Sequence, residues 1–216
     1  MTTSPTDAPG AGAAVLRRLL APAAPRPERC AFCGTALAPE HRHLADTAQR
    51  ALACACPACA MLFDRPGAAG GRYRGVPRRY LVDPAHGVDD ADWEALQIPV
   101  STVFFLRNSA LDRLVALYPS PAGPAESELD PSTWQTVLDR TRLAALLEPD
   151  VEALLLRRAG GVTTCHLVPV DACYELVGRM RLHWQGFDGG QTARAELEGF
   201  FDRLAGLARP LTEDTA

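Results

Sequence analysis

Two cysteine pairs, Cys30-Ala-Phe-Cys33 and Cys56-Pro-Ala-Cys59, are the residues of this chain best suited to chemistry. A C-x-x-C pair turns two thiolates toward one point, and two pairs bring four sulfurs to a single ion. Four thiolates suit zinc; a single iron is the alternative. The 22 residues between the pairs slightly exceed the roughly 15–20 of a common zinc signature, and they are enough for a hairpin. An ion closed off by Cys30, Cys33, Cys56 and Cys59 has no open position for substrate, so its expected role is to build structure.

The elements that must position these sulfurs are legible nearby. Gly34 follows the first pair, where the turn calls for positive φ. Pro57 stiffens the second turn. Between them, His41–Leu44 and Arg50–Cys54 read as short strands, with Asp46-Thr47-Ala48-Gln49 as the turn. Cys54, His41 and His43 complicate the ligand set. Cys54 and Cys56 share a strand face, roughly 6.6 Å apart at the usual rise. Cys54 could therefore replace Cys56 or stand behind the ligands. His41 and His43 share a face of the facing strand, so a second site from Cys54 and one histidine is open. The simpler reading packs Cys54 as a small hydrophobe and leaves the histidines on the surface. The outline resembles a zinc ribbon or a rubredoxin-like knuckle pair. The rubredoxin pattern carries a glycine after the second pair; here Ala60 stands there. That departure weakens the iron reading, because glycine lets backbone amides approach and tune the sulfurs.

Composition bounds the rest. The chain has 216 residues, room for a medium domain and a small module, and 47% apolar content supports a core. All 22 basic residues are arginine. The N-terminus has neither a basic region nor a long apolar run, and no stretch reaches the roughly 18 apolar residues that span a bilayer. A cytoplasmic protein is expected, where cysteines more often hold metals than disulfides. Net charge is −4, unevenly placed. Residues 1–80 carry 11 arginines against 5 carboxylates; residues 81–216 carry 11 against 21. A basic metal module invites a nucleic-acid reading, but the arginines form no stripe. Arg72, Arg74, Arg78 and Arg79 fall in a Gly- and Pro-rich stretch. They read as a solvated linker or as a docking surface for the acidic part or an acidic protein partner.

Organisation follows. Residues 1–27 read as disordered, with a short docking helix over Val15, Leu16, Leu19 and Leu20 as an option. Residues 28–64 form the metal module, 65–97 a linker with a short capped helix where Asp89–Asp92 precede Trp93–Leu96, 98–208 a larger domain, and 209–216 a tail. In the larger domain, 100–106 and 110–118 read as strands. The run Pro119–Pro124 reads as a loop, and with Tyr118, Pro119, Ser120 and Pro121 it is a candidate interaction surface. A helix starts at Asp130-Pro131 and carries Trp134, Val137 and Leu138 inward. A hairpin joins 151–157 to 162–168 through Gly160-Gly161. Asp171 caps a helix with a buried stripe of Cys173, Leu176, Val177, Met180 and Trp184. A last helix over 192–208 buries Leu197, Phe200, Phe201, Leu204 and Leu207. The expected fold is α+β: a small zinc-ribbon-like module plus an antiparallel sheet with helices on one face.

Other chemistry is thin. Cys165-His166 are strand neighbours pointing to opposite faces, so they cannot act as nucleophile and base. Cys173 is buried. Glu148, Asp150 and Glu152 read as solvated carboxylates. No catalytic residue is assigned, and no enzymatic activity is expected.

Longer strings resemble a family. They are Cys30–Gly34, His41–Leu44, Cys54–Asp64, Gly71–Arg74, Tyr118–Gly123, Leu147–Leu154 and Val168–Gly178. Together they are similar to an uncharacterised, mainly actinobacterial family encoded beside genes for high-affinity uptake nickel–iron hydrogenases. The resemblance covers roughly residues 28–205. It implies an accessory protein for hydrogenase assembly, maturation or electron transfer, with a hydrogenase subunit or maturation factor as its protein partner.

Overall fold

The structure is a computed structural model describing residues 27–84, 88–128, 131–186 and 189–212. The expected docking helix at 15–20, nearly all of the expected disordered segment, and Asp130 lie outside these residues. The first unit is a three-stranded antiparallel sheet and a short helix. Strands β1 (Arg42–Asp46) and β2 (Ala51–Ala55) pair with His43 opposite Cys54. The hairpin turns where expected, because the Asp46 carboxylate accepts from the amides of Ala48 and Gln49 at 3.1 and 3.0 Å. Helix α1 (Pro57–Phe63) starts with proline, whose missing N–H costs nothing at that position. Strand β3 (Tyr73–Gly75) adds to the free side of β1. The core is small: Leu44, Ala55 and Ala60, covered by Phe32, Phe63 and Tyr73. Phe32 stacks on Phe63 at 4.3 Å, with Tyr73 edge-on to both.

The second unit is a seven-stranded sheet. Its elements are β4 (Leu81–Val82), α2 (Asp90–Ala95), β5 (Thr102–Asn108), β6 (Arg113–Ser120), β7 (Gly123–Glu126), α3 (Pro131–Leu138), α4 (Leu143–Leu146), β8 (Glu152–Ala159), β9 (Val162–Pro169), α5 (Val170–His183), α6 (Gly190–Leu207) and β10 (Arg209–Pro210). The strand order is β10-β4-β9-β8-β5-β6-β7. Every pairing is antiparallel except β10 with β4. The α+β class is therefore as expected, a small cysteine-bearing module beside an antiparallel sheet with helices. The helices, however, cover both faces of the sheet. Leu154 and Leu156 pack with Trp93, Trp134, Leu138 and Leu143. Ala153 and Leu155 pack with Leu176, Phe200 and Leu204 on the other side. The run Glu152–Leu156 is buried without interruption, and such a strand needs cover on both sides.

Several local readings need correction. Pro119 to Pro124 is a tight hairpin: Pro119 lies opposite Pro124 and Ser120 opposite Gly123. Prolines are tolerated there because β7 is an edge strand and the β5–β6 ladder ends at Phe104–Leu117, so Pro119 owes β5 no N–H. Asp171 is not a cap; Pro169 holds that position and Asp171 lies in the first turn of α5. Leu207 is 58% exposed, at the outer end of α6. The short capped helix is as expected but starts earlier, at Asp90 instead of after Asp92, with Asp89 and Asp92 forming a reciprocal capping box. The stretch 65–97 is more than a linker with a helix, since it supplies β3 to one sheet and β4 to the other. Residues 209–210 likewise join the sheet through β4.

The two units are packed on each other. Ala45 and Val76 from the first meet Val151 and Val170 from the second. The uneven charge becomes an interface. Arg79 holds the fully buried Glu152 in a two-pronged contact at 2.6 and 2.8 Å. Arg74 donates to the Pro149 carbonyl at 2.5 Å and lies 3.5 Å from Glu148. Arg72 stays within its own module, donating to Asp46. Of the four arginines read as a solvated linker or a docking surface, Arg74 and Arg79 thus dock on the Glu148–Glu152 carboxylates, which were expected in solvent. Among the described residues no helix is long and apolar enough to cross a membrane.

Candidate metal centre

The first cysteine pair lies in a tight turn. Gly34 donates to the Cys30 carbonyl at 2.9 Å with φ of 74°, the conformation expected of that glycine. The Cys30 amide donates to Thr35 at 2.9 Å, and the Ala31 amide donates to the Cys54 carbonyl at 2.8 Å, which fastens the turn to β2. The second pair opens α1 instead of lying in a second hairpin turn. Cys56 is the residue before the helix, and its sulfur accepts from the Cys59 amide at 3.5 Å.

These elements bring the four sulfurs together. One ligand atom from each of Cys30, Cys33, Cys56 and Cys59 lies within 4.8 Å of every other. The Cys33 and Cys56 sulfurs are 3.8 Å apart. A tetrahedral ion with metal–sulfur bonds of about 2.3 Å needs sulfurs about 3.8 Å apart. The cluster can therefore hold a metal ion without rearranging its turns. Cys30 is buried and Cys33 is exposed, so the ion would sit near the surface.

Electrostatics differ sharply among the sulfurs. Burial opposes ionisation of Cys30, but the amides of Cys56, Cys33 and Phe32 point at its sulfur and bring the thiol down to about 6. Burial pushes Cys59 up to about 12, helped by its hydrogen bonds to the neighbouring cysteines. The Cys30 sulfur readily carries negative charge, while the Cys59 thiol holds its proton. A cation is what lets all four ionise together.

Of the remaining candidates, Cys54 is not one of this set. It groups with His41 and His43, whose ligand atoms also lie within 4.8 Å of one another. Burial raises the Cys54 thiol, as do Glu28 and Cys30. The His43 ring donates from Nδ1 to Asp171 of α5 at 2.8 Å. Sequence reasoning missed Asp171 as a partner because 128 residues separate the two. It also missed the aromatic brace of Phe32, Phe63 and Tyr73 beneath the cluster, although all three flank the cysteine pairs or β3. Tyr118, Pro119, Ser120 and Pro121 lie on β6 and its turn, toward the β7 edge and away from the cysteines. Cys165 and His166 are both buried; burial pushes the thiol up to about 12 and the imidazole down to about 4. Cys173 is buried on α5, also with a raised thiol.

No curated protein and no solved structure matches the chain. A family model does match, over residues 29–208, which takes in both cysteine pairs and every strand of the large sheet except β10. The chain belongs to the family of unknown function DUF5947.

Proposed function

We propose that this is a cytoplasmic, non-enzymatic accessory protein whose Cys30, Cys33, Cys56 and Cys59 hold a structural zinc ion. The observation that carries the reading is the sulfur cluster itself, with its 3.8 Å Cys33–Cys56 spacing. Four sulfurs close the coordination sphere, so the ion braces a module whose own apolar core is too small to fold alone. Zinc is favoured over iron by position 60. Ala60 is buried inside α1, where a rubredoxin-like site needs a glycine turn. Metal analysis with an absorption spectrum tests this: zinc that is lost from the four-sulfur site in Cys30→Ser, and no colour, is expected. A red, redox-active protein would establish the electron-transfer alternative.

The setting follows from the resemblance of the longer strings to proteins encoded beside uptake nickel–iron hydrogenases. The protein supports assembly, maturation or electron transfer of such an enzyme by binding a subunit or a maturation factor. Exposed Met61 and Leu62 on α1, next to the cysteines, suit a protein partner. The hairpin at Tyr118–Pro121 is the second surface to test. A nucleic-acid role is disfavoured because Arg72, Arg74 and Arg79 are engaged within the chain. Affinity purification from a strain expressing the hydrogenase should recover a hydrogenase component, and deleting the gene should lower hydrogen uptake. Normal uptake with no such component recovered overturns the proposal.

A further inference from the structure

We propose that His41, His43 and Cys54 form a second metal site, which takes a zinc-like divalent ion through two imidazole nitrogens and one thiolate. The residues converge because of strand geometry. His41 and His43 are two positions apart and share a face. Cys54 is the direct partner of His43 across the β1–β2 ladder. The two rings lie 4.8 Å apart, edge to face, and one ligand atom of each of the three residues lies within 4.8 Å of the others.

The hydrogen bonds fix which nitrogen is free. His41 Nδ1 faces the Ala38 carbonyl at 3.0 Å. A carbonyl can only accept, so Nδ1 carries a proton, and in the neutral ring Nε2 is the nitrogen with the lone pair. His43 Nδ1 faces the Asp171 carboxylate at 2.8 Å, which fixes the same tautomer. Metal-bound histidines are oriented in this way, the ring N–H held by a carbonyl or carboxylate and the other nitrogen turned to the ion. The His41 side chain is only 5% exposed, and its Nε2 is buried with no hydrogen-bond partner. A packed surface histidine would turn that lone pair to water. Here the lone pair has nothing to accept from, and a cation supplies what is missing.

The charge nearby fits a cation. Glu28 lies 3.5 Å from His41 Nδ1, and Asp171 stands behind His43. Arg78 reaches the His41 backbone carbonyl at 3.4 Å, not its ring. Two imidazoles and a thiolate suit zinc or cobalt(II). Bonds of about 2.0–2.3 Å require the three atoms to close by roughly 1 Å, a side-chain adjustment. Three protein ligands leave the fourth tetrahedral position open to water or to a ligand from a partner, unlike the four-sulfur cluster, which is closed.

Zinc per chain, measured on the full chain after equilibration with zinc and desalting, tests this. Two ions are expected in the wild type. One is expected in each of His41→Gln, His43→Gln and Cys54→Ser, with the tetrathiolate cobalt spectrum unchanged. Cys30→Ser removes the other ion, so the two sites fail separately. A wild type holding one zinc with a purely tetrathiolate cobalt spectrum overturns the site, as do two ions retained in all three variants. Asp171 lies outside the hairpin, so Asp171→Asn keeps the test open if a hairpin variant misfolds. It should weaken the second zinc about 10–100-fold and leave the first unchanged. Equal affinity for both ions in that variant and the wild type overturns the proposal.

Discussion

Cys30 and Cys59 shift in opposite directions although they belong to one cluster: burial opposes ionisation of both, but amides outweigh it at Cys30, while at Cys59 the neighbouring thiols add to it. Replacing either with serine removes one of four bonds and is expected to take zinc from one ion to none in the four-sulfur site, with loss of the module's fold seen by circular dichroism. Cys54→Ser should leave that ion in place. Retention of zinc by Cys56→Ser with loss in the four-sulfur site of Cys54→Ser would reassign the ligands. Asp46 gives a separate, metal-free handle. Two-pronged hydrogen bonding from Arg72 holds its carboxyl below the ordinary 3.8, despite burial acting the other way. A lowered carboxylate contributes stability that is present above the unfolded pKa and lost as pH falls through the folded one. The thermal midpoint should therefore drop below about pH 4 in the wild type, and part of that drop should vanish in Asp46→Asn. An identical acid profile in both proteins would show that this pair carries none of it.

Between elements, the contact that matters most is Arg79 on Glu152. The carboxylate is fully buried and also accepts from the Glu148 amide at 3.0 Å. Truncating Arg79 to alanine leaves a buried charge with one amide for company. That should cost about 3 kcal/mol, the low end for such a pair because the guanidinium is 40% exposed. Urea unfolding checks it, and adding Glu152→Gln should restore part of the loss. No recovery in the double variant would mean that Arg79 acts through packing. This pair also shows where sequence reading stops. Hairpins with their own turn signal are legible, as at Gly160-Gly161, and so is the α2 capping box, because the residues that make them are neighbours in the chain. Arg79 and Glu152 are 73 residues apart, and His43 and Asp171 are 128 apart, so neither pairing is visible in the chain: Glu152 reads as a solvated carboxylate and Asp171 as a helix cap. Strands β4 and β10 have two residues each and show no periodicity at all. The convergence of Cys30, Cys33, Cys56 and Cys59 is legible because C-x-x-C carries its geometry locally; the orientation of the two histidines is not.

For the whole molecule, the useful division lies near residue 76 and not at 98. Leu81, Val88, Trp93 and Leu96 all enter the main core ahead of β5, and Leu211 enters it after α6. A fragment of residues 98–208 would leave their partners bare, and it should be insoluble or melt without a cooperative transition. Residues 77–212 keep all five and should give a soluble fragment with a sharp thermal transition. Equal behaviour of the two fragments would show that the flanking residues are dispensable to that core. Removing the first module uncovers Val151 and Val170 and takes Arg74 away from the Pro149 carbonyl and Glu148, so even the longer fragment should melt below the full chain.

All four sulfurs of the cluster come from residues 30–59, ahead of every strand of the large sheet. During synthesis they leave the ribosome first, and closing so short a loop costs little. The large sheet must wait, because β4 gains its neighbour β9 only after residue 169 and its other neighbour β10 only at 209–210. At about 5–20 residues per second, the nascent chain spends several seconds as a formed metal module attached to an unfinished sheet. On the zinc proposal, metal capture precedes folding of the remainder, and the loaded module offers β8 and α5 a finished surface to close against. Chains arrested with residue 76 just outside the ribosome should already retain zinc, while the sheet should resist protease only once residue 211 has emerged.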